Sequence, residues 1–500
     1  MHHFAKKRGA WVVCALVIAG GSLVAGCDTN KLVSVTDPTL LTPGDVASAG
    51  AVPGLVQGAY AQLVGGYSGF GDDAFLSSSA VITDETYYGD TFTTRQAADS
   101  RNLQPTALGN ISDPAFSRLQ SARFNARRAF AAVAKYSTAS TAAADKKTQA
   151  KLRAIEGYTY VTLSEGWCGA VPFSVVPDTG SVDPSKIVPG TPLTTMQMND
   201  TAIVRFTEAL ALDPNNSLAK IGMARALLNE ARFAEAAAAV SSVADTYVFL
   251  LEHSTNSGGE NNPMASLMQN GRYGVANLEG GLNGTAALRP DNNTLTTAPS
   301  AEGLNFRTAN DPRVPYKALP NCFTSSIRCW LNENYPDFNA DVPMASGVEA
   351  RLIQAEAALQ AGDAASMMTI LNNLRRQSTN LLTKLYPGQV QVFFDNGAIR
   401  TLPDLSDPAD PNTSAATQFA ARRDLLFRER AFWLYNTGHR QGDLRRLARA
   451  PYSLPTNAVF PSGPFFRGGL TFGNDVAYPV PFNEQNNPNF KAESCSTTTA

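Results

Sequence analysis

Residues 209–228 read ALALDPNNSLAKIGMARALL, and the apolar spacing in and around them decides the fold class. Ala202, Phe206, Ala209 and Leu210 fall at i, i+4, i+7 and i+8, the signature of one helix face. Asp213-Pro214-Asn215-Asn216 is a cluster of turn formers that ends that helix. Ala219, Gly222, Met223, Ala226 and Leu227 form a second stripe, and Phe233, Ala236, Ala237 and Val240 a third. Small residues beside large ones let ridges of one helix sink into grooves of the next. Residues 199–246 are therefore expected to be antiparallel helices in close contact.

Further helices are expected over 45–66 (interrupted near Pro53), 115–136, 147–166, 345–361, 363–379 and 416–436. Gly362 suits a helix end. A short basic helix should follow Gly442-Asp443. Between these lie irregular stretches. Residues 67–114 read as loops with short helical pieces, and 167–196 carries five prolines. Residues 254–345 lose helical periodicity and are rich in Gly and Asn, yet Tyr273, Phe306, Tyr316, Phe323, Trp330, Tyr335 and Phe338 argue against disorder. Residues 387–415 read as another loop, and the chain from Pro451 onward as mostly extended. The expected class is mainly α with long irregular loops.

The beginning of the chain speaks about location. Lys6, Lys7 and Arg8 precede a short apolar run, Ala10 to Ala25, and Val24-Ala25-Gly26-Cys27 places small residues directly before a cysteine. That pattern is a bacterial lipoprotein signal, in which Cys27 is acylated and becomes the new N-terminus. Each buried CH₂ of an acyl chain adds about 0.8 kcal/mol to membrane attachment. The expected organisation is a signal peptide over 1–26, a polar tether over 27–44 and a globular body over 45–500, in one large domain or two intimate ones. Asp28, after the cysteine, leaves the choice between inner and outer membrane open. No later apolar run is long enough to span a bilayer. The formal charge of −2, without a basic cluster outside the leader and the C-terminal arginines, excludes nucleic acid as a partner.

Cys168, Cys322, Cys329 and Cys495 remain after Cys14 leaves and Cys27 takes lipid, and an exported protein can form disulfides. Cys322 and Cys329 flank a short loop and are expected to pair, which leaves Cys168 with Cys495. His253 and His439 are the only histidines beyond the leader. Neither they nor the cysteines have metal-site spacing, and no cofactor is expected.

Arg428-Glu429-Arg430-Ala431-Phe432-Trp433-Leu434-Tyr435-Asn436-Thr437-Gly438-His439-Arg440-Gln441-Gly442-Asp443-Leu444-Arg445-Arg446 puts charges inside an otherwise apolar helix pair. Buried charges persist only when paired. Glu429 is expected to meet Arg440 or Arg446, and Asp443 another arginine. Because the charges balance locally, a structural lock is favoured over a site for a ligand carboxylate or phosphate.

This string resembles the C-terminal signature of the SusD/RagB family of nutrient-binding lipoproteins. Asn310-Asp311-Pro312-Arg313, Arg351-Leu352-Ile353-Gln354-Ala355-Glu356-Ala357, and Tyr478-Pro479-Val480-Pro481 with Asn487-Pro488-Asn489 are similar to further elements of that family, in the same order. Residues 209–228 resemble a tetratricopeptide-repeat pair. Gln441 departs from the pattern, since relatives often carry an aromatic or a lysine there. The resemblance implies a SusD-like α-helical fold of four tetratricopeptide-like helix pairs decorated by loops. It implies a non-catalytic protein, lipid-anchored at the outer membrane. Such a protein captures oligosaccharides, or sometimes peptides, for a SusC-like TonB-dependent transporter.

Sugar faces stack on aromatic rings while amides and carboxylates bind hydroxyls. Two stretches offer such groups, Asp84 to Asp90 and Cys322 to Tyr335, and the candidate ligand residues in them are Tyr87, Tyr88, Trp330, Asn332 and Tyr335. Two other functions compete. A surface glycosidase needs two facing carboxylates, which adjacent Asp84 and Glu85 do not by themselves supply. An adaptor would hold another envelope protein on its repeat helices.

Overall fold

The computed structural model describes residues 48–70, 73–83, 85–103, 109–175, 187–277, 304–325, 327–387, 394–395, 398–399, 401–467 and 470–500. The leader, the tether, Cys27 and Asp84 lie outside them.

The helices in chain order are α1 (Val52–Tyr67), α2 (Phe75–Ile82), α3 (Thr93–Asp99), α4 (Asp113–Tyr136), α5 (Ala142–Gly166), α6 (Thr195–Leu212), α7 (Ser217–Asn229), α8 (Phe233–Ala239), α9 (Pro263–Gln269), α10 (Gly347–Gln360), α11 (Ala364–Arg376), α12 (Ser378–Leu385), α13 (Ala415–Trp433), α14 (Arg440–Ala448) and α15 (Thr456–Val459). Pro53 does not interrupt α1. It sits in the first turn, where its missing N–H costs nothing.

Packing runs along a scaffold of helix pairs: α1 on α4, α5 on α6, α7 on α8 and α10 on α11. Contacts of α4 with α5, α6 with α7, α8 with α10 and α10 with α13 join the pairs. The turn Asp213 to Asn216 is built as its residues suggest. Asp213 closes α6, and the Asn216 side chain accepts the Ala219 N–H at 3.0 Å to open α7. Thr194 and Gln197 form a reciprocal cap at the start of α6. The close approach has one focus. The Phe206 ring lies where a Cβ on Gly222 or Gly157 would stand, 2.3 Å and 2.7 Å away respectively. Two glycines thus form the slot that seats Phe206 edge-on to Tyr158.

The strands are short and antiparallel. β1 (Thr86–Tyr88) pairs with β5 (Tyr273–Val275), β2 (Val171–Pro172) with β3 (Pro192–Leu193), β4 (Val248–Leu251) with β8 (Val342–Ser346), and β6 (Tyr316–Leu319) with β7 (Cys329–Asn332). Two disulfides form, Cys322–Cys329 and Cys168–Cys495. The second closes a separation of 327 residues and ties the C-terminal arm to the end of α5.

The buried charges form a lock, with partners other than those expected for Glu429. Its oxygens are taken by Arg313 at 2.7 Å and Arg375 at 2.7 Å, not by Arg440 or Arg446. Arg446 instead pairs with Glu356 at 2.9 Å and Asp443 at 3.0 Å, and Arg430 pairs with Asp443 at 2.8 Å. Arg440 is buried at the start of α14. Burial works to raise the Asp443 carboxyl, but Arg430 and Arg446 hold it well below the usual carboxylate range. The helical register explains the exchange. Arg446 lies one turn beyond Asp443 and faces α10, while Glu429 faces the loop carrying Arg313. Gln441 donates to the Gly166 and Val476 carbonyls, so a neutral amide holds the C-terminal arm against α5.

Candidate ligand-binding surface

The two stretches singled out for ligand contact fold against each other. Gly89 donates its N–H to the Arg272 carbonyl at 2.7 Å, and Thr324 donates to the Gly89 carbonyl at 3.0 Å. Phe323 donates to the Gly271 carbonyl at 2.9 Å. A Cβ on Gly89 would stand 2.4 Å from the Cys322 sulfur, so only glycine permits this approach. The short Cys322–Cys329 loop is thereby held on the end of the β1–β5 pair.

Tyr87, Tyr88, Trp330 and Asn332 lie beneath this surface and Tyr335 lies apart from it, and none of the five presents a free face: none is more than 4% exposed. The Tyr87 hydroxyl donates to the Arg328 carbonyl at 2.7 Å, with its ring edge-on to Trp330 and Phe466. The Tyr88 hydroxyl accepts from the Phe92 N–H at 3.0 Å. The Arg307 guanidinium covers the Trp330 ring at 3.6 Å. Asn332 accepts from the Asn334 N–H at 2.9 Å. Tyr335 belongs to a different cluster, beside Tyr386, and donates to the Asn436 carbonyl at 2.8 Å. The expectation of exposure fails for three reasons: β1, with Tyr87 and Tyr88, is covered by α2, by α3 and by the disulfide loop, Trp330 is packed under Arg307 and Tyr87, and Tyr335 packs against Tyr386.

The exposed rings are their neighbours. Phe92 is 53% and Phe323 57% exposed, and the Arg272 guanidinium lies between them, 5.5 Å from one ring centre and 4.8 Å from the other. Arg95 covers Phe92 at 5.2 Å. Each cation has a buried acid behind it: Asp90 pairs with Arg272, and Asp73 with Arg95 at 2.5 Å. Burial works to lower the Arg95 pKa, but Asp73 raises it above its ordinary value. Arg467 donates to the Tyr88 carbonyl at 2.6 Å and also to the Asp90 carbonyl, so the C-terminal arm buttresses the same surface. Beneath it, burial pushes the Asp99 carboxyl up to about 8 while it accepts the Tyr88 N–H.

The sequence held a signal for the exposed pair. Thr91-Phe92-Thr93 and Cys322-Phe323-Thr324-Ser325 set one ring among small polar residues, whereas Tyr87-Tyr88 sit in a strand. The two rings can stack on C–H faces, and the guanidinium between them can donate hydrogen bonds to oxygens. Asp73 and Asp90 are engaged by the arginines. Among the described residues, no group of three or more His, Cys, Asp or Glu is placed to hold a metal ion.

Residues 193–248, which contain α6 to α8, match the tetratricopeptide-repeat family model. No curated protein matches the chain in sequence. Solved structures resemble nearly the whole chain. A SusD superfamily protein from Bacteroides thetaiotaomicron is 13% identical, with 89% of this chain and 99% of that one covered at a TM-score of 0.55. A SusD-like carbohydrate-binding protein from Bacteroides fragilis is 14% identical, with coverages of 87% and 98% and a TM-score of 0.54. The surface glycan-binding protein A from Bacteroides uniformis is 12% identical, with coverages of 89% and 100% and a TM-score of 0.53. A mainly α-helical chain with tetratricopeptide-type helix pairs, similar over so much of its length to these structures, has the SusD-superfamily fold.

Proposed function

We propose that this chain is a non-catalytic oligosaccharide-binding protein, lipid-anchored through Cys27 at the outer membrane, that passes its cargo to a SusC-like TonB-dependent transporter. The observation carrying this reading is an exposed Phe92–Arg272–Phe323 face on a SusD-superfamily fold. The carbohydrate-binding and glycan-binding descriptions of similar structures support the cargo class. The lipobox supports the anchor, and among the described residues no helix is long and apolar enough to cross a membrane.

A pull-down of the lipidated protein from detergent-solubilised native envelopes tests the partner. Recovery of a TonB-dependent transporter is the expected result. A preparation containing no transporter, with the N-terminal cysteine unmodified by mass spectrometry, would overturn both the anchor and the delivery role.

A further inference from the structure

A second feature lies elsewhere on the molecule, where the Asn487-Pro488-Asn489 element comes to rest. A cleft of about 620 Å³ opens between α4, the segments beside β2 and β3, and the turn Phe482–Asn486. Its walls are tied together. Gln120 donates to the Pro172 carbonyl at 2.9 Å, and Arg123 donates to the Ser174 carbonyl at 2.9 Å, which fixes α4 to the first segment. The Gly190 N–H donates to the Ser174 hydroxyl at 3.2 Å, and a Cβ there would stand 2.3 Å from the Phe173 backbone, which fixes the second segment to the first. Asn487 donates to the Gly190 carbonyl at 3.1 Å and Asn489 to the Pro189 carbonyl at 3.0 Å, which fixes the closing turn to both. A cleft whose walls are bound this way loses little freedom when it takes a ligand.

The lining is mixed: apolar walls at Phe124, Pro172, Ile187, Pro189 and Pro488 alternate with polar side chains. Ser117 and Ser121 stand one helical turn apart on α4 and are exposed, and Phe124 follows on the same helix. Opposite them are the exposed amides of Asn483 and Asn486 and the carboxyl of Glu484. Arg123, almost fully buried and stacked on Phe173, sets a positive charge behind the cleft. Burial raises the Glu484 carboxyl and that charge opposes the rise. Hydroxyls, amides and one carboxyl facing a ring suit a ligand with many hydroxyls and C–H faces.

We propose that the cleft between Ser121 and Phe124 of α4 and Asn486 of the closing turn is a second saccharide subsite, separate from the Phe92–Phe323 face. This inference rests on the saccharide reading of the chain. Two separate subsites would let one protein hold a long glycan at two points, which raises avidity for polymers without tightening either site.

Native affinity electrophoresis separates the two ideas. The probes are gels containing starch, inulin, arabinan, xylan, galactomannan or pectin. The chains are the wild type, Ser121→Trp, Asn486→Ala and the double variant Phe92→Ala/Phe323→Ala, each checked for an unchanged thermal midpoint. All four substituted residues are exposed, so the variants should fold. The expected result is threefold to tenfold weaker retention of Ser121→Trp and weaker retention of Asn486→Ala, with residual retention of the double variant. Wild-type retention in Ser121→Trp and Asn486→Ala, with complete loss in the double variant, overturns the cleft and leaves the saccharide reading standing. Wild-type chain that no gel retards overturns both.

Discussion

Arg313 and Glu429 are 116 residues apart, yet their side chains meet at 2.7 Å with each only 2% exposed. Arg375 joins the same carboxylate from α11. Taking these charges out of water is costly, and the pairing offsets that cost only while every member is present. Glu429→Ala leaves Arg375 without a carboxylate and Arg313 with Asp311 alone, and should lower stability by about 3 kcal/mol, read as a shifted urea midpoint. The exposed pair Arg376–Asp404 is the control: Arg376→Ala should scarcely move the midpoint, because exposed pairs contribute little. Equal shifts for the two variants would show that the lock is not special.

The same network marks how far the sequence could be read. That Glu429 and Asp443 must be paired followed from charges set among apolar neighbours. The Glu429 partner did not, because Arg313 and Arg375 come from distant segments while Arg440 and Arg446 were close in the chain. Helices α4 to α8, α10, α11 and α13 were legible because their stripes, caps and breakers are local. The ligand surface was half legible. Residues 85–90 come together with 322–325 and 327–330, but composition cannot say which ring of a cluster is covered. Tyr87 and Tyr88 are sealed by strand pairing with β5 and by the disulfide loop, and the exposed rings are Phe92 and Phe323.

The slot for Phe206 predicts opposite signs for one kind of substitution. Gly222→Ala drives a methyl into the ring, 2.3 Å from its nearest carbon. Overpacking of this kind costs roughly 1–3 kcal/mol. In α1, a Cβ at Gly58 meets nothing within 4 Å, so Gly58→Ala should gain about 0.5–1 kcal/mol from reduced backbone entropy. Thermal denaturation should show a lower midpoint for the first variant and a higher one for the second. A raised midpoint for Gly222→Ala would refute the slot.

Asp99 gives the fold a pH dependence with a definite sign. Burial raises its carboxyl to about 8 in the folded chain, whereas an unfolded aspartate titrates near pH ~3.9. The folded state therefore keeps a proton that the unfolded state releases. The stability this group contributes is full below about pH 4 and is lost as pH rises toward about 8. Asp99→Asn still accepts the Tyr88 N–H but cannot ionise. The variant should lose less stability than wild type between pH 5 and pH 8.5, by urea unfolding at both. Parallel behaviour of the two chains would mean that Asp99 is ionised throughout.

The exposed rings and the arginine between them make the last prediction. Arg272 lies between Phe92 and Phe323, and its planar guanidinium can stack on both while Asp90 holds its position. Lysine keeps the charge but has neither the plane nor the fork, so Arg272→Lys should weaken saccharide binding nearly as much as loss of a ring. Each of Phe92→Ala and Phe323→Ala removes one stacking face, worth about 0.5–1.5 kcal/mol, or roughly twofold to tenfold in affinity. Tyr87→Phe provides the contrast. It deletes the hydroxyl that donates to the Arg328 carbonyl, which should cost about 0.5–1.5 kcal/mol of stability and leave affinity unchanged. Titration calorimetry with a glycan that retards the wild-type chain, paired with urea unfolding, reads both quantities. Weaker binding in Tyr87→Phe with no change in Phe92→Ala or Phe323→Ala would move the site from the exposed rings to the buried ones.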